Sequence, residues 1–172
     1  SLLEQRGDTL QVLVRSEDPA AGHRRLIEGL RTIGSSSREL REWGPRIHAV
    51  CGDLEQRQLG LDPSDWGRLA AETTEVLHNG AMVNYVYDYA GMRAANVGGT
   101  EEILRLCASG RPKVLNHIST TFIFGWSVKD TLFEHDRNEE VDRLDFGYAQ
   151  TKWVSEQLVH EAMDRGLRGR VF

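Results

Sequence analysis

Cysteine is scarce in this chain of 172 residues: there are two, Cys51 and Cys107, and neither stands in a CxxC pair or beside a histidine cluster. That spacing excludes a disulfide framework and offers no zinc or other metal site. Both fall in apolar segments, where a free thiol serves as a small core residue, which is compatible with the reducing cytosol and a cytoplasmic protein. No apolar run reaches the roughly 18 residues that a membrane-spanning helix needs. The opening residues, SLLEQR, lack the basic-then-apolar plan of a signal peptide. An excess of positive charge is also lacking. Against 21 Lys and Arg stand 26 Asp and Glu, a net charge of -5, whereas a general nucleic-acid or anionic-membrane binder needs a basic face. The one tight basic group, Arg165, Arg168 and Arg170, reads as a solvated helix end and strand entrance. There is no internal repeat and no low-complexity tract. With 40% apolar residues, the chain suits one domain with a buried core.

What is present is an alternation of short β-rich runs with helical ones. Strands are expected at Leu10–Val14, Ile47–Val50, Glu75–His78 and Val114–Ile118, with another begun at Arg170–Phe172. A helix over 21–33 would place Leu26, Ile27, Leu30 and Ile33 on one face. Ser64 is positioned to cap a second helix over 65–73. A long helix spans 88–109, with Gly110 as its left-handed stop, and another spans 147–164, stopped by Gly166. A polar loop fills the interval up to about Asp145. This order, with strands too apolar to face water, implies an α/β fold with a doubly wound parallel sheet of the Rossmann type, covered by helices on both faces. In such sheets ligands bind beyond the carboxyl ends of the strands. One element of that fold is absent: no GxxGxxG turn follows an opening strand. The expectation is therefore that 1–172 is part of one nucleotide-binding domain, beginning at the tail of the first helix, with its first, central strand and Gly-rich loop missing and no carboxyl-terminal substrate region.

Chemistry gathers at the strand ends. Tyr148 and Lys152 are four apart on a helix and share a face. An ammonium beside the phenol would lower its pKa from about 10 and let it exchange a proton with a carbonyl oxygen. Alone, the spacing also suits a half-buried tyrosine beside a solvated lysine. Thr120, however, follows a buried strand directly, where its hydroxyl can bind the same oxygen and stabilise charge developing on it. The turn Asn79–Gly80–Ala81 ends the Glu75–His78 strand with small residues, so a flat ligand can approach its backbone, although an ordinary strand-to-helix turn has the same composition. Asp53 could accept from an adenine amino group and Leu54 pack on the ring; a simple turn aspartate is the alternative. Arg15, at the end of the first strand, stands where an NAD enzyme places an acid, and suits the extra phosphate of NADP. Arg25, on the next helix, can reach the same phosphate. Nearby Glu17 and Asp18 temper the preference, and either arginine alone could be a surface charge.

Together these segments resemble the terminal thioester reductase domains of nonribosomal peptide and polyketide synthases, with carboxylic acid reductases and aminoadipate reductases close by. The resemblance rests on Val12-Leu-Val-Arg15, Gly52-Asp-Leu54, His78-Asn-Gly-Ala-Met-Val-Asn84, Met92-Arg-Ala-Ala-Asn-Val-Gly-Gly-Thr100, Ile118-Ser-Thr120 and Gly147-Tyr-Ala-Gln-Thr-Lys-Trp-Val-Ser-Glu156. It implies NADPH-dependent reduction of an acyl thioester carried on the phosphopantetheine arm of a carrier protein, giving an aldehyde or, after a second reduction, an alcohol. It further implies that Thr120 and Tyr148 hold the carbonyl oxygen and Tyr148 supplies the proton. Lys152 would bind the nicotinamide ribose and tune Tyr148, and Asn96 would support Lys152, unless Asn96 is a buried core amide. Three other readings share part of the pattern. A sugar-nucleotide dehydratase or epimerase has the fold and the Tyr/Lys pair, but dehydratases follow the threonine with Asp-Glu, where this chain has Thr121 and Phe122. A fatty acyl-CoA reductase would differ mainly in the thiol carrier. A non-catalytic NADP sensor has no need of Thr120, Tyr148 and Lys152 together.

Overall fold

The computed structural model describes residues 7–126, 131–133, 135–138 and 140–172, and the chain divides into two units, Ser1–Asp53 and Leu54–Phe172. The expected helix tail at 1–6 and the loop positions 127–130, 134 and 139 lie outside the described residues.

In the first unit, β1 (Leu10–Val14) and β2 (Ile47–Cys51) pair in parallel, from Leu10 opposite Ile47 to Val14 opposite Cys51. Helix α1 (Pro19–Thr32) connects them. Asp18 caps it, accepting from the Ala21 amide at 2.7 Å, and Pro19 occupies a first-turn position that needs no N–H. Leu26 and Leu30 pack with Leu10 and Val12 on buried Trp43 and Ile47. Ile33, expected on that apolar face, is instead 79% exposed, because the helix has ended and Ile33 is its C-cap. A further short helix, α2 (Ser37–Trp43), was not expected. Its start is a capping box in which Ser36 and Glu39 satisfy each other's backbone amides. Cys51 is half-buried beside the Ser16 hydroxyl at 3.2 Å.

The second unit contains a parallel sheet in the order β3 (Glu75–His78), β4 (Val114–His117), β5 (Arg168–Val171). Strand β4 is central, and Leu115 at its middle is fully buried. Strand β3 alternates, with Val76 and His78 buried and Leu77 56% exposed, so among the described residues one of its faces is covered rather than both. Helix α3 (Pro63–Glu72) is capped by Asp62, not Ser64. The Asp62 carboxylate accepts from the amides of Ser64 and Asp65, at 2.8 and 2.9 Å. The long helix expected over 88–109 is three pieces in line: α4 (Tyr89–Arg93), a π turn over Ala94–Gly98, and α5 (Gly99–Ala108). Gly110 follows with φ +66° and Gly166 follows α6 (Gly147–Asp164) with φ +103°, the left-handed conformation for which glycine is suited. Among the described residues no helix is long and apolar enough to cross a membrane, and no group of three or more His, Cys, Asp or Glu side chains could hold a metal ion.

Lys113 is 2% exposed. Its ammonium donates to the carbonyls of Ala70 (2.8 Å), Ser109 (2.6 Å) and Arg111 (3.0 Å), tying the ends of α3 and α5 together. Lys113→Met keeps the stem but strips three carbonyl acceptors, one buried and two part-buried, of their donor. The expected loss is about 2–4 kcal/mol, read as a lower urea midpoint; an unchanged midpoint would mean that water replaces the ammonium.

Candidate active site

The site grows from the end of β4. Beyond His117 the chain is pinned on both sides. The Ile118 amide donates to the His78 carbonyl (3.0 Å) and the Ser119 amide to the Phe172 carbonyl (2.7 Å). Thr120 then turns into a short 3-10 segment, Thr121–Phe124, which it caps through the Phe122 amide at 3.3 Å. Facing this exit is α6, whose first residue, Gly147, lies against backbone. A Cβ at Gly147 would come within 2.3 Å of the Asp88 carbonyl carbon and 2.6 Å of the Tyr87 oxygen. Only glycine lets the helix start so close, and the next residue is Tyr148. Gly147→Ala should therefore move Tyr148 and cost about 2–4 kcal/mol of stability. A denaturant midpoint unchanged by that substitution would show that the backbone yields freely.

Tyr148 is 9% exposed, and the Thr120 side chain hydrogen-bonds it. Burial pushes the phenol's pKa up; the Thr120 bond opposes this and neighbouring Tyr85 adds to it. Tyr148 is thus held protonated, as an acid. This differs from the expectation that the Lys152 ammonium lowers its pKa. Lys152, 5% exposed, donates to the Ile118 carbonyl at 2.7 Å. Its own pKa is brought down to about 8 by burial, with the Glu156 charge pulling the other way. The group brings two hydroxyls, Thr120 and Tyr148, together, with the Lys152 ammonium one turn on along α6 and bound to the same strand exit. Such a pair can hold a substrate oxygen and give it a proton.

Asn96 sits in the π turn, a rare helical irregularity often found at functional sites. Its side-chain NH2 donates to the Met82 carbonyl (3.0 Å) and the Thr151 hydroxyl (2.9 Å), and its oxygen accepts from the Met82 amide (2.7 Å). These bonds make it a core amide that fixes the 79–82 turn and α6, with no direct bond to Lys152. Asn79 and Gly80 are exposed and Ala81 is half-buried. Leu54 packs on the turn: a Cβ at Gly80 would lie 2.7 Å from its Cδ1. In the first unit, exposed Arg25 donates to the Arg15 carbonyl at 2.9 Å, and Asp53 is half-buried. Several site residues had escaped the sequence reading. Tyr85, Phe122 and Phe146 meet Tyr148 or one another edge-on, with ring centroids 5.3–6.3 Å apart. Tyr85 and Phe122 are 60% and 44% exposed. Their one signal is an aromatic density in Tyr85-Val-Tyr87 and Phe122-Ile-Phe124 unusual for loops.

The chain is similar to known proteins in both sequence and fold. The chain is 42% identical over 130 residues to a linear gramicidin synthase of Brevibacillus parabrevis, covering 74% of this chain and 3% of that protein. It is 38% identical over 175 residues to the large subunit of the L-2-aminoadipate reductase of Penicillium chrysogenum, covering 92% of this chain and 12% of that one. The crystal structure of the terminal R domain from the myxalamid PKS-NRPS biosynthetic pathway superposes with a TM-score of 0.93 at 39% identity, over 99% of this chain and 43% of that chain. The chain thus spans less than half the length of the relatives it matches. All 172 residues match the NAD-binding family described as Male sterility protein, and the chain belongs to that family.

Proposed function

We propose that this chain is the nucleotide-binding and catalytic part of an enzyme that uses NADPH to release an acyl thioester from a carrier protein as an aldehyde or alcohol. The observation that carries the reading is the Thr120–Tyr148 hydroxyl pair at the end of β4, with the phenol kept protonated. The similarity to an aminoadipate reductase and to the R domain of a PKS-NRPS pathway supports it. The two free cysteines suit a cytoplasmic location.

Each unit, taken by itself, offers residues whose chemistry suits part of a nicotinamide dinucleotide. The Asn79–Ala81 turn is open and small, and Gly80 leaves only backbone beside Leu54. In the first unit, Arg15 and Arg25 are both exposed, the Arg25 guanidinium donating to the Arg15 main-chain carbonyl, and their charges suit a 2′-phosphate. Asp53 and Leu54 suit the adenine edge and face. When bound, the cofactor supplies a hydride. The chain's own part is to hold the thioester oxygen between Thr120 and Tyr148 and to transfer the Tyr148 proton to it. The resulting hemithioacetal gives its hydroxyl proton back to the Tyr148 phenolate as it expels the carrier thiolate, which takes a proton from water, and the Lys152 ammonium would steady the phenolate in the interval.

The test is NADPH oxidation by the whole protein with an acyl-pantetheine thioester. Thioester-dependent oxidation is expected, with NADPH preferred over NADH by about tenfold or more and the preference shrinking in Arg15→Ala. Bound NADPH that no thioester can oxidise would overturn the reading.

A further inference from the structure

We propose that Glu156 is a positioning residue for this site: it locks the Ile118–Ser119–Thr120 exit onto α6 and serves as the buried counter-charge to Lys152. The inference rests on the reductase reading above. Tyr148, Lys152 and Glu156 recur at every fourth position and so share one face of α6. Each engages one residue of the strand exit. Tyr148 meets Thr120, Lys152 donates to the Ile118 carbonyl at 2.7 Å, and Ser119 donates its hydroxyl to Glu156. Three successive turns of helix thus hold three successive residues of the exit. Alternate side chains of an extended segment point to opposite sides, so a one-residue slip would replace Thr120 by Ser119 or Thr121 beside Tyr148. The third rung removes that freedom.

A buried carboxylate is costly unless it is paired, and Glu156 is 5% exposed. Its partners are Ser119 and His160, whose Nε2 lies 3.4 Å away on the next turn. The charged and titratable groups facing Lys152 are Tyr148 and Glu156 on its own helix, His78 at the end of β3 and His117 at the end of β4. Both histidines are kept neutral by burial, which leaves Glu156 as the negative charge that favours the ammonium.

Two readouts on the whole protein test this: the pH dependence of NADPH affinity, by fluorescence, and of thioester turnover. Glu156→Gln keeps the shape and the acceptor for Ser119 but removes the charge. The high-pH limb of both profiles should move down by about one pH unit, and kcat should fall about tenfold or more. Ser119→Ala keeps the charge and loses the rung. It should lower kcat several-fold without moving the limb, while Glu156→Asp should restore the limb. Unmoved limbs in Glu156→Gln, even with a lower melting point, would overturn the proposal by reducing Glu156 to a structural role. Should that variant fail to fold, wild-type turnover in Ser119→Ala would overturn it equally. A wild-type protein without thioester turnover sinks the reductase reading, yet a limb shift in NADPH affinity would still support the clamp. Wild-type turnover with unmoved limbs sinks the clamp alone.

Discussion

Tyr148→Phe is expected to lower thioester-dependent turnover by about 10²- to 10⁴-fold, the range for losing a positioned general acid, while NADPH affinity changes little. The substitution removes one oxygen. The ring remains in its edge-on contacts with Tyr85, at 6.0 Å between centroids, and with Phe122, at 6.3 Å. Lys152 keeps its bond to the Ile118 carbonyl, since that bond does not involve the phenol. What disappears is the proton that burial retains on Tyr148 and the partner of the Thr120 hydroxyl. The remaining Thr120 hydroxyl can still bind an oxygen, so the residual rate should exceed that of a Thr120→Ala, Tyr148→Phe double variant. The measurement is steady-state NADPH oxidation together with a fluorescence titration of NADPH. Turnover within tenfold of wild type would remove Tyr148 from the chemistry. Lost NADPH affinity with lost turnover would instead make it a structural or cofactor-binding residue.

The parts of this site that were legible in the sequence are those with a local physical signature. Apolar runs gave β1 to β4, and the i, i+4 spacing placed Tyr148 and Lys152 on one face. Gly110 and Gly166 marked helix ends because a left-handed residue there is almost always glycine. The parts that were not legible depend on contacts distant in sequence. Whether the pKa of Tyr148 falls or rises turns on its burial by segments distant in sequence, which, with Tyr85, outweighs the Thr120 bond. Asn96 looked like a site residue, and only the folded chain shows its amide committed to Met82 and Thr151. The π turn around it has no sequence marker. Helix α2 did have one, the Ser36–Glu39 capping box, but seven residues with little apolar periodicity gave it no weight. Glu156 lay inside the motif that carried the resemblance, and its role emerges only when Ser119 is seen to reach it.

The same buried setting should make the fold sensitive to mild acid. His78 and His117 end β3 and β4 side by side, with ring centroids 5.2 Å apart and 4% and 0% exposed. The Thr100 hydroxyl donates to the Asn96 carbonyl at 2.7 Å, so it accepts from His78 Nε2 at 2.9 Å and fixes that tautomer. Among the described residues, neither ring nitrogen of His117 has a hydrogen-bond partner. Burial lowers the His78 pKa to about 4 and that of His117 to about 3, and the Lys152 charge pushes both the same way. The unfolded chain takes up protons on both from about pH 6.5 downward, while the folded chain does not. Stability from these groups is therefore complete above about pH 6.5 and declines as pH falls toward 4 and then 3. At about 1.4 kcal/mol per pH unit and per histidine, the pair should cost about 4 kcal/mol on going from pH 7.5 to pH 5, a large share of a typical domain's stability. Carboxylates also titrate in this range, so the discriminating comparison is with His117→Leu, which removes one of the two histidine contributions and an unpaired polar ring. Its urea midpoint at pH 7.5 should equal or exceed that of wild type. From pH 7.5 to pH 5 it should lose about 2 kcal/mol less than wild type. Equal losses in the two proteins would show that the folded chain accommodates a proton on His117, and the two buried imidazoles would then be open to solvent in a way their packing denies.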